Sequence, residues 1–226
     1  MTLQQNKKQT KRRMNDAEPL DNMEVVEIST KLWCNWMKGL GKFARMGVQG
    51  DGSCFFHSVC ALQNKENYLF ASPKLQQKIA YKFRCSFTEQ FTSEEYNHIK
   101  SESSFSKDFE TTKTDFCSPE AWADEVMIRH ASSVLNLNLI FLDVNNEIAY
   151  CGVHGDEAGR NLIDNKPVLQ KTAIVAWVNH SHFEPIVKID DADKGLITTI
   201  FDPLESKEDS KVVEAIMSNY KKECKI

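Results

Sequence analysis

Gly50-Asp51-Gly52-Ser53-Cys54-Phe55-Phe56-His57 joins a glycine-rich turn to an apolar segment, and the interpretation of the chain starts from this stretch. Glycines let the backbone turn sharply and approach another molecule closely. If a helix begins at Cys54, its unpaired N–H groups and the positive end of its dipole face the sulfur. Both effects favour the thiolate, the nucleophilic form of cysteine. The stretch predicts a reactive Cys54, although a surface turn followed by a buried cysteine is the simpler alternative.

A second segment, late in the chain, supplies an imidazole: Asn179-His180-Ser181-His182-Phe183-Glu184. Apolar strands at 172–178 and 182–189 predict a hairpin with 179–181 as its turn. Side chains two apart on a strand share a face, so Glu184 can accept a hydrogen bond from Nδ1–H of His182. A cysteine protease needs such a base and a group that orients it. Incidental polar residues on a hairpin, or a metal pair of His180 and His182 without a clear third ligand, remain alternatives.

Length and composition predict one ordinary globular domain. The chain has 226 residues, of which 41% are hydrophobic and 27% charged, as in soluble proteins. A net charge of −4 argues against nucleic acid as the main partner. No apolar run approaches the roughly 18 residues of a membrane span, and the polar, basic N-terminus does not resemble a signal peptide. We therefore expect an intracellular protein, cytoplasmic or nuclear, without a membrane partner.

Cysteine usage points the same way. The chain has seven cysteines, an odd number at irregular spacings, with no CxxC pair. A disulfide framework or a zinc cluster shows regular pairs instead. We expect most of these cysteines to be small buried hydrophobic residues, with one reactive member and no metal or other cofactor.

The order of predicted elements gives an α+β class. Residues 1–22 predict a disordered basic tail, for which a solvated tail and a nuclear import signal are both possible, and 23–226 a single domain. Helices come first and strands later, which favours helices packed against a small, mainly antiparallel sheet. Residues 153–168 read as a loop, and 206–222 as a terminal helix. Predicted helical core residues are Phe55, Phe56, Val59, Leu62, Leu75, Ile79, Phe83, Phe87, Trp122, Val126, Val212, Val213, Ile216 and Tyr220.

These motifs together resemble the ovarian tumour (OTU) family of cysteine deubiquitinases. That family carries Gly-Asp-Gly-Asn-Cys-Leu-Phe-Arg around its nucleophile, where this chain has Ser53, Phe55 and His57 at the three differing positions. The base of the family lies in a late His-Tyr/Phe-Asp/Asn segment, and His182-Phe183-Glu184 of this chain is similar to that segment. A Trp opening a helix and then an apolar strand, as in Trp122-Ala123-Asp124-Glu125 and 137–141, also resembles the family. The similarity spans roughly residues 43 to 190.

The resemblance implies a papain-like fold and hydrolysis of the bond after the C-terminal glycine of ubiquitin. Cys54 would be the nucleophile and His182 the general base and then acid. Glu184 would orient His182, with Asn179 as a reserve candidate, and Asp51 would belong to the active-site loop beside the oxyanion. The implied partner is ubiquitin, polyubiquitin or a ubiquitin-like modifier, and we expect a monomer.

Two other functions remain open at this stage. One is a catalytically silent OTU-like module that binds ubiquitin, which the departures at Ser53 and Glu184 leave possible. The other is a different papain-like peptidase acting on ordinary peptides. The sequence does not indicate a ubiquitin linkage preference.

Overall fold

The computed structural model describes residues 11–13, 39–101, 106–143, 148–152, 162–163, 166–167, 171–190 and 196–223. Within these ranges the helices are α1 (Cys54–Gln63), α2 (Pro73–Ser86), α3 (Ser93–Ser101), α4 (Phe109–Phe116), α5 (Glu125–Leu135) and α6 (Lys207–Glu223). The strands are β1 (Lys11–Arg13), β2 (Lys42–Arg45), β3 (Asn138–Asp143), β4 (Ile148–Gly152), β5 (Leu162–Ile163), β6 (Lys166–Pro167), β7 (Thr172–Val178), β8 (His182–Asp190) and β9 (Leu196–Thr198). A 3-10 helix at Lys65–Phe70 connects α1 to α2.

One sheet organises the molecule. Its strand order is β1-β9-β8-β7-β3-β4, and β2 pairs with β8 as well. The pairs are antiparallel except for β3 with β7, which run parallel with Asn138 opposite Thr172. The predicted α+β class, with helices against a mainly antiparallel sheet, is confirmed. Strand β8, which begins with His182, pairs with both β7 and β2, so side chains of these two strands lie beside those of β8.

The two faces of the sheet bury two cores. Alternate residues of a strand point to opposite faces, so β3 sends Leu139 and Phe141 to one side and Ile140 and Leu142 to the other. The first side packs against α1 to α5, and the second packs against α6 through Val212, Val213 and Ile216. The terminal helix thus lies on the face opposite α1. Of its predicted inward residues, Tyr220 lies outside the described side chains.

Lys11–Arg13 corrects the prediction of a disordered tail over residues 1–22. These three residues form β1, which pairs antiparallel with β9. Strand pairing uses backbone N–H and C=O groups, so a basic composition does not reveal it. The other residues of 1–22 lie outside the described ranges.

The predicted loop at 153–168 is also wrong in part, because β5 and β6 pair antiparallel within it. Two-residue strands are too short to show an alternating pattern. The core prediction fails at Leu75, which is 47% exposed although Ile79, Phe83 and Phe87 are buried. The helical period shows which residues share the apolar face of a helix. It does not show whether neighbouring elements reach far enough to cover the end of that face, where Leu75 lies.

The cysteine prediction needs one correction. Cys85, near the end of α2, and Cys117, just after α4, are joined by a disulfide with a Cα–Cα distance of 4.6 Å. A spacing of 32 residues in sequence says nothing about such proximity, because the fold brings the two helix ends together. Cys54 and Cys60 are not part of a disulfide, and both are buried.

Candidate active site

The turn before α1 is shaped by Asp51 and Gly52. Gly52 has φ of +82°, in the left-handed region. A Cβ at this position would collide with the carbonyl oxygen of Pro119, so only glycine fits. Oδ1 of Asp51 accepts a hydrogen bond from the Ser53 N–H at 3.1 Å. The turn therefore delivers Cys54 as the first residue of α1, as predicted.

The first turns of α1 pack against the beginning of β8. Sγ of Cys54 lies 4.0 Å from the carbonyl oxygen of Ser181, the outer limit for a thiol donor. One helical turn later, the Ser58 hydroxyl donates to the Phe183 carbonyl at 2.9 Å. His182 lies between these two contacts. A Cβ built on Gly50 would be 3.8 Å from Cε1 of His182, so the ring faces the turn.

The hairpin explains why His182 lies there. Asn179 and His180 have φ of 51° and 54°, and the Ser181 N–H bonds to the Val178 carbonyl at 3.1 Å. Two successive left-handed residues are typical of the tight turns that join antiparallel strands. The turn ends immediately before β8, so His182 opens the strand as predicted. Asn179, the reserve candidate for orienting the imidazole, is exposed in this turn.

Glu184 lies beside His182, on the other side of the ring from the one predicted. Its Oε1 is 3.6 Å from Nε2 of His182, within ion-pair range but longer than a hydrogen bond. The Nδ1 and Cε1 edge faces Gly50 instead. Residue spacing on a strand fixes the shared face, as predicted, but it does not fix the rotation of the ring. Nδ1 is therefore the nitrogen turned toward the turn that carries Cys54.

Arg45 competes for the same carboxylate. Its Nε forms an ion pair with Oε2 of Glu184. The two groups meet because β2 pairs with β8, with Arg45 opposite Ile186. Both side chains are mostly buried, at 21% and 14% exposed. Glu184 therefore divides its charge between Arg45 and His182.

Burial raises the pKa of the Cys54 thiol above its usual value of 9.0. Hydrogen bonds to the backbone of Phe183, Phe55 and Cys54 lower the pKa, but the desolvation is larger, and the nearby charge of Asp51 raises it further. The turn and the helix end thus favour the thiolate as predicted, but the prediction left out burial, which outweighs them in this conformation. The proton stays on the sulfur because a buried charge costs more than these donors supply.

Arg84 is a residue of this region that the sequence analysis missed. It is fully buried on α2. Nη1 donates to Oγ of Ser53 at 3.2 Å and faces the Gly52 carbonyl at 3.4 Å, while its other nitrogens donate to the carbonyls of Asp115, Phe116 and Ala121. One guanidinium thus joins the turn to the end of α4 and to the segment that follows it. Arginine on an amphipathic helix normally indicates solvent, but its position four residues after buried Ala80 was a usable signal.

His57 occupies the position where the family motif has Arg. The sequence predicts a packing or surface residue there, and the side chain is fully buried. Its Nε2 lies 3.0 and 3.1 Å from the two carboxylate oxygens of Asp51. Its Nδ1 lies 2.7 Å from the hydroxyl of Tyr68.

Trp122 is not a core residue, contrary to the prediction. It is 60% exposed and precedes α5, whose N-terminal cap is Asp124. The Asp124 carboxylate accepts the Met127 N–H at 3.0 Å, so the helix begins after the Trp rather than at it. A Cβ on Gly52 would be 3.9 Å from Cδ1 of Trp122, so the exposed indole flanks the active-site turn.

The described part of the chain has no group of three or more His, Cys, Asp or Glu side chains placed to hold a metal ion. Among the described helices, none is long and apolar enough to cross a membrane.

Comparison with solved structures places the fold. A structure of an ovarian tumour (OTU) domain in complex with ubiquitin matches with a TM-score of 0.50 and 14% identity, over 77% of this chain and 83% of that one. An OTU deubiquitinase from Wolbachia pipientis wMel matches with a TM-score of 0.40 and 18% identity, over 65% of this chain and 88% of its own. The Hazara virus OTU bound to ubiquitin matches with a TM-score of 0.42 and 12% identity, over 66% and 82%.

No family sequence model matches the chain, and no curated protein matches it in sequence. The class is therefore defined by structure: an α+β, papain-like arrangement of helices against a sheet. This chain has an OTU-like fold.

Proposed function

We propose that this protein is a cysteine deubiquitinase that hydrolyses the bond after the C-terminal glycine of ubiquitin. One observation carries the proposal: within an OTU-like fold, Cys54 begins α1 where that helix packs against the first residues of β8, the strand that opens with His182. Cys54 is the nucleophile and His182 the base, while Glu184 orients the ring and Asp51 shapes the turn that receives the oxyanion.

The reaction divides into two acyl transfers. Nδ1 of His182 takes the thiol proton as Cys54 attacks the carbonyl carbon of the C-terminal glycine of ubiquitin, and a tetrahedral oxyanion forms. Backbone N–H groups of the turn at 50–54 stabilise that oxyanion. His182 then gives the proton to the leaving lysine amine, and a thioester remains on Cys54. Water, deprotonated by His182, hydrolyses the thioester and releases ubiquitin with a free carboxylate.

The raised pKa of Cys54 sets a requirement on this mechanism. The thiol is neutral in the free enzyme, so the proton has to move to His182 while the substrate binds. Glu184 supports the transfer because its negative charge stabilises the imidazolium that forms. The exposed indole of Trp122 beside the turn offers a surface against which the extended C-terminal tail of the substrate could lie.

A silent ubiquitin-binding module is the second candidate, and two observations favour it. The thiol is protonated and buried, and Arg45 draws the Glu184 carboxylate away from His182. Both features weaken a preformed thiolate–imidazolium pair. Neither removes a residue that the reaction needs.

Ubiquitin carrying a C-terminal propargylamide electrophile separates the two candidates. An active enzyme forms a covalent adduct on Cys54, and Cys54→Ala abolishes it. Cys60→Ala is the matched control, since Cys60 is also outside the disulfide and is buried on the same helix. Binding of ubiquitin without an adduct would support the silent module. Cleavage of unrelated peptides but not of ubiquitin conjugates would indicate a general papain-like peptidase.

A further inference from the structure

The proposed reaction does not use His57, Tyr68 or the side chain of Asp51 directly, yet these three form a continuous hydrogen-bonded network that runs from the buried Tyr68 and His57 to the partly exposed Asp51. Tyr68 lies in the 3-10 helix after α1 and is 2% exposed. Its hydroxyl meets Nδ1 of His57 at 2.7 Å, and Nε2 of His57 meets both Asp51 oxygens at about hydrogen-bond distance, 3.0 and 3.1 Å. Both ring nitrogens of a fully buried imidazole are thus occupied.

The chemistry of Asp51 and Tyr68 determines which nitrogen of His57 carries the hydrogen. A carboxylate only accepts, so Nε2 of His57 carries the hydrogen and donates to Asp51. In a neutral ring Nδ1 then accepts, and the Tyr68 hydroxyl donates to it. Burial raises the pKa of Tyr68, which keeps that hydroxyl protonated. Burial also lowers the pKa of His57, against the opposing effect of Asp51, and His182 acts in the same direction as burial.

The hydrogen-bonded network that starts at Tyr68 ends at the active-site turn. Oδ1, one of the two Asp51 oxygens that meet Nε2 of His57, also accepts the Ser53 N–H at 3.1 Å. Asp51 is 31% exposed, so water would otherwise compete for its carboxylate. A carboxylate held from inside by His57 keeps its orientation toward Ser53, and this orientation sets the geometry of the backbone N–H groups that precede Cys54.

We propose that Tyr68 and His57 are positioning residues for the reaction: they hold the Asp51 carboxylate, and through it the Gly50–Ser53 turn, in the conformation that receives the oxyanion. The inference rests on the proposed function. It assigns a role to His57, one of the three positions at which this chain departs from the family's nucleophile motif, and it adds Tyr68, which no motif indicated.

Steady-state hydrolysis of a ubiquitin–fluorophore amide tests the proposal with a pair of single-hydroxyl deletions. Tyr68→Phe removes the donor to His57. Tyr96→Phe is the matched control, because Tyr96 is equally buried and its hydroxyl donates to the Lys107 carbonyl on another part of the helical layer. We expect Tyr68→Phe to lower kcat by about 10-fold with KM nearly unchanged, less than the roughly 100-fold cost of losing an oxyanion donor outright. Tyr96→Phe should retain wild-type kcat.

A second pair of variants and two further readouts distinguish positioning from general destabilisation. His57→Ala should lose more turnover than Tyr68→Phe, and His57→Gln should recover part of it, because its amide can donate from near the place of Nε2. Alkylation of Cys54 by iodoacetamide forms no oxyanion, so its rate should be the same in Tyr68→Phe and wild type. Nitrogen-15 spectra of the histidines should show His57 neutral with its hydrogen on Nε2, and Tyr68→Phe should shift the Nδ1 signal.

Wild-type kcat in both Tyr68→Phe and His57→Ala would overturn the inference, as would an equal loss in Tyr96→Phe or a hydrogen on Nδ1 of His57. A wild-type protein that does not cleave the substrate would refute the proposed function itself. The network would then have no catalytic purpose, even if the histidine spectrum showed the ring bonded as described.

Discussion

Burial and the helix terminus act in opposite directions on the thiol of Cys54. The backbone donors around the sulfur favour the thiolate, but the residue is only 8% exposed and desolvation prevails. An exposed thiol at the N-terminal end of a helix would have a lower pKa and would be the stronger nucleophile in the free enzyme. Here the structure predicts a resting enzyme whose nucleophile is protonated.

The pH dependence of Cys54 alkylation tests this directly. Because only the thiolate reacts and the pKa is raised, the rate should keep rising through pH 9.0, with a midpoint above that value. Mass spectrometry of the Cys54 peptide after timed exposure to iodoacetamide gives the rate at each pH. Cys60 in the same digest reports any opening of the fold. A midpoint near pH 7 would show a preformed thiolate and contradict the geometry described.

Glu184 provides a second prediction at this scale. Glu184→Gln keeps the size of the side chain but removes the charge that stabilises the imidazolium of His182. We expect kcat/KM for a ubiquitin substrate to fall by roughly 100-fold, toward the lower end of the contribution of acid–base groups. Arg45→Gln is the comparison, since it removes only the competing positive charge, and it should turn over at least as fast as wild type. Equal rates for Glu184→Gln and wild type would exclude Glu184 from the site.

The single residues of the site were predictable to different degrees. Cys54 could be placed at a helix start because Gly52 and Asp51 specify the turn locally, and Glu184 could be placed beside His182 because strand geometry alternates strictly. The ring orientation of His182 and the ion pair with Arg45 could not be predicted, because both depend on which strand pairs with β8. The state of the thiol could not be predicted either, because desolvation depends on the whole surrounding core.

The elements follow the sequence wherever hydrophobic contacts specify them. Strands β3 and β7 were visible as apolar runs because most of their residues are buried on both faces, and Pro73 at the first position of α2 is typical of a helix start. Polar contacts between elements, in contrast, left no pattern in the sequence. Arg84 of α2 fits this description, because its five acceptors come from the active-site turn and from residues 115–121, on either side of α2 in sequence.

Replacing Arg84 should destabilise the fold more than a surface change on the same helix. Arg84→Met leaves several buried carbonyl groups without a donor, each worth about 1–3 kcal/mol, so we expect the free energy of unfolding to fall by at least about 3 kcal/mol. Urea unfolding followed by circular dichroism measures the change. Lys78→Met, at an exposed position of α2, should stay within about 0.5 kcal/mol of wild type. Similar values for the two variants would contradict the role given to Arg84.

At the scale of the whole molecule, stability should decrease in mild acid because of His57. The pKa of His57 is lowered from 6.5 by burial, so below pH 6.5 the unfolded chain binds a proton that the folded protein excludes. Excess proton binding by the unfolded state makes the free energy of unfolding rise with pH and fall in acid. Asp51, Tyr68 and His182 are the groups around His57 that would modify this dependence.

Chemical denaturation at pH 7.5 and at pH 5.5 measures this effect. Wild type should be less stable at pH 5.5, and the difference between the two pH values should be smaller in His57→Gln, which has no group to titrate at that position. The comparison is made within each protein, so any general cost of the substitution cancels. The same pH difference in both proteins would mean that His57 does not contribute.

The central claim is that this fold turns Cys54 and His182 into one catalytic unit that acts on ubiquitin conjugates. The most direct measurement is cleavage of di-ubiquitins of every linkage by folded wild type, Cys54→Ala and His182→Ala, followed on gels over time. We predict that wild type releases mono-ubiquitin from at least one linkage, that Cys54→Ala releases none, and that His182→Ala is slower by about 100-fold or more. Failure of the folded wild type on every linkage, or full activity in either variant, would contradict the claim.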